Sequence, residues 1–176
     1  MIVYTGKLEE YEGWLGAHVI NKLLAALSEC TDIRKHHIYF DNFFASVDTL
    51  SRLSERNIHA TGTVRENRLS GAKQALVSSK EMKKRERGTY DKVCNGIVFV
   101  CKWHDNSIVN IASNTLMDEP VHTVRQKVKG GEKHVPQPHI VQCYNKGVCV
   151  VSCMTVNNIE SIYFIISLRN GRRGSL

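Results

Sequence analysis

Between residues 37 and 64 the hydrophobic period changes twice, and this constrains the fold more than any other feature of the chain. His37 to Phe40 is a short, strand-length apolar run ending at Asp41. Ser46 suits a helix N-cap, because its side-chain oxygen can accept one of the amide protons left free in a first helical turn. Val47, Leu50 and Leu53 then fall on one helical face, and Asn57 marks the stop. Ile58, Ala60, Gly62 and Val64 alternate in the manner of a second strand. Strand, helix and strand in so short a span form a βαβ unit, which predicts an α/β sheet with flanking helices.

The rest of the chain is read around that unit. Leu15, Val19, Ile20, Leu23, Leu24 and Leu27 recur at helical spacing and predict an amphipathic helix over 15–28. Strands are expected from Gly96 to Trp103 and from Ser107 to Ser113, with a hairpin turn at His104-Asp105-Asn106. Residues 118–139 hold all three prolines and the Gly130-Gly131 pair, the composition of a loop or linker. Ile140 to Tyr144 is expected to be extended. In residues 157–168 β-branched side chains compete with a helical reading, and both assignments stay open.

With 176 residues, 42% hydrophobic and 23% charged, the chain suits one globular domain, or one core plus an insertion. No stretch approaches the ~20 apolar residues of a membrane span. Met1 to Lys7 lacks the basic-then-apolar order of a signal peptide, so an intracellular protein is expected. Six cysteines without a C-x-x-C pair are expected to be buried free thiols. His139, Cys143, Cys149 and Cys153 give H-x3-C-x5-C-x3-C, but structural zinc sites space paired ligands more closely.

The net charge of +7 is unevenly placed, since Arg65 to Arg87 contains eight basic and three acidic residues. The segment has no hydrophobic period and is expected to be a basic surface excursion. It is either a phosphate-neutralising patch or a solvated face.

Several motifs, in order along the chain, resemble those of the piggyBac-type transposases. Val3-Tyr4-Thr5-Gly6-Lys7 is similar to the family's "YTGK" strand, and Asp41-Asn42-Phe43-Phe44-Ala45-Ser46 to its "DNxFxS" signature. Gly62-Thr63-Val64-Arg65-Glu66-Asn67-Arg68 resembles "GTxRxNR", Lys102-Trp103-His104-Asp105-Asn106 resembles "KWxDN", and Tyr144-Asn145-Lys146-Gly147 the start of "YNxxMGGVD". The resemblance implies an RNase H-like α/β core, a mixed sheet with flanking helices that is incomplete here, interrupted by a basic insertion containing a β-hairpin. Mapped onto this sequence, the core covers 1–64 and 139–170, the insertion 65–138, and a tail 171–176.

In that family three carboxylates hold two Mg2+ ions, one activating the attacking oxygen and one stabilising the leaving oxygen. Asp41 matches the second carboxylate, with a turn or cap role as the alternative. The first belongs upstream of the "YTGK" match, where only Met1, Ile2 and Val3 precede Tyr4. The third falls on Ser152, and the next family acid on Thr155. Glu9, Glu10, Glu12, Asp118 and Glu119 are expected in surface loops and do not replace the missing acids.

The resemblance therefore implies an inactive remnant with no tightly bound cofactor, Mg2+ being ancestral. It also implies a nuclear location and weak, non-specific DNA contact through Arg65, Arg68, Lys83, Lys84, Arg85 and Arg87. An active nuclease or transposase of which this chain is a fragment, and a protein-interaction module, are the alternatives.

Overall fold

Alternation along the strands places two apolar clusters on opposite faces of one sheet. The computed structural model describes residues 15–128, 131–152 and 164–166. The first half runs α1 (Leu15–Ser28), β1 (His37–Phe40), α2 (Val47–Glu55), β2 (His59–Thr63) and the short helices α3 (Ala72–Ala75) and α4 (Ser79–Met82). The second half runs β3 (Tyr90–Cys94), β4 (Phe99–His104), β5 (Ile108–Ser113), β6 (His122–Val128), β7 (Gly131–Gln137), α5 (His139–Ser152) and β8 (Phe164–Ile166).

Six strands form one sheet in the order β3-β4-β5-β2-β1-β8, and β6 with β7 forms a separate two-stranded sheet. β1 runs parallel to both β2 and β8, while the β2–β5, β5–β4 and β4–β3 pairs are antiparallel. The fold is a mixed α/β one with a mainly antiparallel sheet. Among the described residues no helix is long and apolar enough to cross a membrane.

On one face Ile38, Phe40, Ala60, Val100 and Ala112 pack against Ile20 and Leu24 of α1 and Leu50 and Leu53 of α2. On the other, Phe99, Cys101, Trp103 and Ile111 are covered by Ile140 and Val141 of α5. Each fully buried aliphatic side chain contributes roughly 1.5–3 kcal/mol. Burial pushes the Cys101 thiol up to about 12, so it stays protonated. Cys30 and Cys94 are exposed free thiols, contrary to the expectation of burial.

Lys102 shares the face of Val100 by alternation, yet it is only 1% exposed. Its ammonium donates to Val77 O at 2.8 Å and Ser79 Oγ at 3.4 Å, and lies 3.6 Å from Glu66. Leu69, Leu76 and Met82 of the same segment are buried too. The basic segment after Arg65 is therefore a chain of short helical turns, pinned to the sheet by a buried lysine.

The βαβ unit has the expected form, with Ser46 Oγ accepting from Thr49 N at 3.1 Å. Elsewhere the structure corrects the sequence reading. Residues 122–128 and 131–137 are the paired strands β6 and β7 rather than a linker. Residues 140–144 belong to α5, because Ile140, Val141 and Tyr144 meet the sheet together only at helical spacing. Tyr90–Cys94 is an additional edge strand.

Asp118 is not in a solvated loop. Its side chain is 6% exposed, takes the Lys92 ammonium at 2.6 Å and accepts from Tyr90 OH at 3.3 Å. The Val3–Lys7 match, Glu9, Glu10, Glu12 and Thr155 lie outside the described residues.

Candidate functional site

Asp41 follows the last residue of β1, where the parallel β1–β2 pair delivers its carboxyl ends side by side. Its Oδ1 accepts from Phe43 N at 2.8 Å, and its carbonyl accepts from Phe44 N at 3.0 Å and Ala45 N at 3.2 Å. Asp41 is thus a turn-forming aspartate as well as a strand-end carboxylate. The turn is tight because Gly62 lies beneath it. A Cβ on Gly62 would stand 2.9 Å from Ala45 Cβ and 3.0 Å from Phe40 Cβ.

Helix α5 supplies the other wall. Tyr144 OH donates to Phe40 O at 3.2 Å and pairs with Thr63 Oγ1 at 3.3 Å, tying the ends of both strands together. Burial above all raises the Tyr144 hydroxyl, and the Asp41 carboxylate adds to this, against a lowering hydrogen bond from Thr63. Gly147 lets the helix approach the Tyr39 ring. Ser152 is the last residue of α5. The sequence reading missed Tyr144 and Thr63 as strand-end partners, although both lie within motifs it had singled out.

The basic residues divide by role. Arg68 donates to Asn42 O at 3.1 Å and to Phe43 O at 2.5 Å, bracing the loop after Asp41. Desolvation lowers the Arg68 pKa, with a smaller push from Arg65. Both guanidinium groups lie over the Phe43 ring, at 5.7 Å for Arg65 and 6.0 Å for Arg68. Lys83, Lys84 and Arg85 follow α4 and are exposed, and Lys84 carries a weak surface pair with Glu81 at 3.0 Å.

Arg87 belongs to a different group from these three. It is 24% exposed, 2.9 Å from Asp105 and 2.6 Å from Gln126, and it locks the β4–β5 turn to β6.

His139 lies 3.2 Å from both His122 Nε2 and Cys143 Sγ. Among the described residues no group of three or more His, Cys, Asp or Glu is placed to hold a metal ion. Cys153 lies outside those residues.

The mixed sheet ends here in an Asp-Asn-Phe turn braced by arginine, and the family to which the chain belongs is a transposase one. A family model described as Transposase IS4 matches residues 1–166. The chain belongs to that family, as a piggyBac-type member.

It is 39% identical over 148 residues to the human PiggyBac transposable element-derived protein 2, covering 81% of this chain and 24% of that protein. Against the human PiggyBac transposable element-derived protein 3 it is 37% identical over 144 residues, covering 80% of this chain and 23% of the relative. The chain thus spans less than a quarter of the length of these relatives. Its fold is similar to that of a piggyBac transposase solved by cryo-EM as a synaptic complex with hairpin DNA. That match has a TM-score of 0.54 at 19% identity and covers 92% of this chain and 31% of the other.

Proposed function

We propose that this chain is a transposase-derived core, RNase H-like with an insertion over 65–138, that does not cut DNA and binds it weakly and without sequence selection on a basic face. The reading is carried by what surrounds Asp41. A pair of Mg2+ ions needs several converging carboxylates to supply oxygens and offset a charge of +4. Here the wall facing Asp41 contributes the Tyr144 and Thr63 hydroxyls. Two guanidinium groups sit over Phe43, and the position matching the third acid is Ser152. Among the described residues this set does not fit the ion pair.

With Mg2+ or Mn2+ the protein is expected to leave transposon-end duplex intact, and Asp41→Ala to change nothing in the gel. Metal-dependent cleavage abolished by Asp41→Ala would overturn this reading. It would favour an active transposase of which the chain is one part, the reading that its small share of the relatives' length supports.

DNA contact rests on Lys83, Lys84 and Arg85, with Arg65 beside the Asp41 loop, and it implies a nuclear location. Arg68 and Arg87 act on the fold instead. Affinity of this kind is about 10⁻⁴ to 10⁻⁶ M at physiological salt. Replacing Lys83, Lys84 and Arg85 by alanine is expected to flatten log affinity against log salt by about 2–3 units, at roughly 0.9 per phosphate. An unchanged slope in that variant would make the segment a solvated face and favour the interaction-module reading.

A further inference from the structure

The turn between β3 and β4 carries an asparagine followed by glycine, and its hydrogen bonds gather around the asparagine side chain. Asn-Gly occurs twice in the sequence, at 95–96 and 170–171, and the second pair lies outside the described residues. Cys94, Asn95, Gly96 and Ile97 are all exposed. Gly96 has φ +87°, the left-handed backbone that glycine adopts at low cost. A Cβ there would meet nothing within 4 Å, so the turn projects into open space. The bond that closes it, Asn95 N to Val98 O, is 3.4 Å long and weak for a backbone pair.

Asn95 Oδ1 accepts from Ile97 N at 3.0 Å and from Val98 N at 2.8 Å. Two amide protons therefore polarise the side-chain carbonyl. Both would also hold the negative charge that an attack on Cγ develops on this oxygen. The neighbouring nucleophile is Gly96 N. Its proton is donated to Cys94 Sγ at 3.4 Å, a weak acceptor, rather than to a carbonyl. Attack by the next residue's amide closes a succinimide ring, and glycine is the least hindered partner because it brings no Cβ.

We infer that Asn95 is a self-modification site, where the folded β3–β4 turn converts the amide to aspartate and isoaspartate through a succinimide. Gly96 N bonds to Asn95 Cγ, the Cγ–Nδ2 bond breaks, and the Gly96 amide proton leaves with Nδ2 as ammonia. Water then opens the ring, and no oxidant or cofactor enters. Opening at Cγ gives aspartate. Opening at the Asn95 main-chain carbonyl gives isoaspartate, in which the backbone runs through the former side chain.

Both products put a carboxylate at the tip of an edge strand. Isoaspartate also lengthens the chain next to the Cys94–Phe99 pair. Val98 and Phe99 are buried, so the change is expected to loosen β3. That strand also anchors the basic segment, since Asp91 Oδ2 accepts from Val77 N at 2.7 Å.

The test incubates the full chain in mildly alkaline buffer, folded and in urea, and follows each asparagine by peptide mass spectrometry. In the folded chain Asn95 is expected to convert faster than Asn106, which lies in the exposed β4–β5 turn but precedes serine. The product is expected as a mixture, its isoaspartate detected by an isoaspartyl methyltransferase with labelled S-adenosylmethionine. Gly96→Ala is expected to slow the conversion severalfold in urea as well as in buffer, which separates the chemistry from a folding defect. If Asn95 stays intact in the folded chain while converting in urea, the turn protects it and the inference falls. Conversion to aspartate alone, which marks direct hydrolysis, or an unslowed Gly96→Ala would overturn it equally.

Discussion

Gly147→Ala is expected to destabilise the protein by about 2 kcal/mol, although alanine is the better helix former. In an exposed helix the change would gain about 1 kcal/mol of propensity. Here the new methyl would stand 2.6 Å from Tyr39 Cε2, 2.7 Å from Cζ and 2.9 Å from Cδ2. Carbon atoms in contact settle at about 3.5–4.0 Å, so the overlap approaches 1 Å against three atoms of a flat ring.

The ring has little room to withdraw. Tyr39 is 4% exposed, stacks on His37 at 4.8 Å between centroids and meets the edge of Tyr144 at 6.1 Å. Overpacking of this kind costs about 1–3 kcal/mol, the upper end applying where nothing yields. Relief comes if α5 lifts, which would draw Tyr144 away from Phe40 O and Thr63 and open the strand ends beside Asp41.

Urea unfolding measures the effect, and Tyr39→Leu combined with Gly147→Ala should cost less than the sum of the two single changes. A Gly147→Ala variant as stable as the parent would show that the helix does not sit this close to β1.

Stability is expected to fall by about 3 kcal/mol as pH drops from 6.5 to 4, through His37. Burial above all, and then His59, lowers the His37 imidazole from 6.5 to about 4. Its Nε2 lies 2.8 Å from Thr61 Oγ1, and that hydroxyl donates onward to Ser113 Oγ at 2.7 Å, so the Nε2 must carry the proton in the neutral ring. The remaining site for a second proton is Nδ1, on a ring packed against Tyr39 and His59.

The unfolded chain takes up this proton near pH 6.5 and the folded one near pH 4. Between these values the unfolded state binds more protons. The contribution is complete above pH 6.5 and is lost as pH falls toward 4, at about 1.4 kcal/mol per unit. His37→Gln keeps a donor for Thr61 and does not titrate, so its stability should be flatter over this window. Parallel pH profiles for the two proteins would remove His37 as the cause.

What the sequence by itself determined was local. The βαβ unit was legible because apolar periods of two and of three to four residues, a serine cap and a closing asparagine all lie within one short span. Asp41 at a strand end follows from the same pattern, since a polar residue ends an apolar run of strand length.

Other features depend on partners distant in the chain. The prolines around residue 136 signal a loop, yet Pro136 sits in a hairpin whose other strand leaves its position exposed. A short apolar run such as Ile140–Tyr144 fits a strand as well as a helix, and only packing of Ile140, Val141 and Tyr144 onto one sheet face selects the helix.

Charge shows the same limit. Arg85 and Arg87 are equivalent in the sequence, but Asp105 and Gln126 take up Arg87 and leave Arg85 exposed. Lys102 and Asp118 look like surface charges, and the fold buries both because Val77 O and Ser79 meet the first and Lys92 and Tyr90 the second. Periodicity is written in neighbouring residues, whereas the partner that makes burial of a charge tolerable comes from elsewhere in the chain.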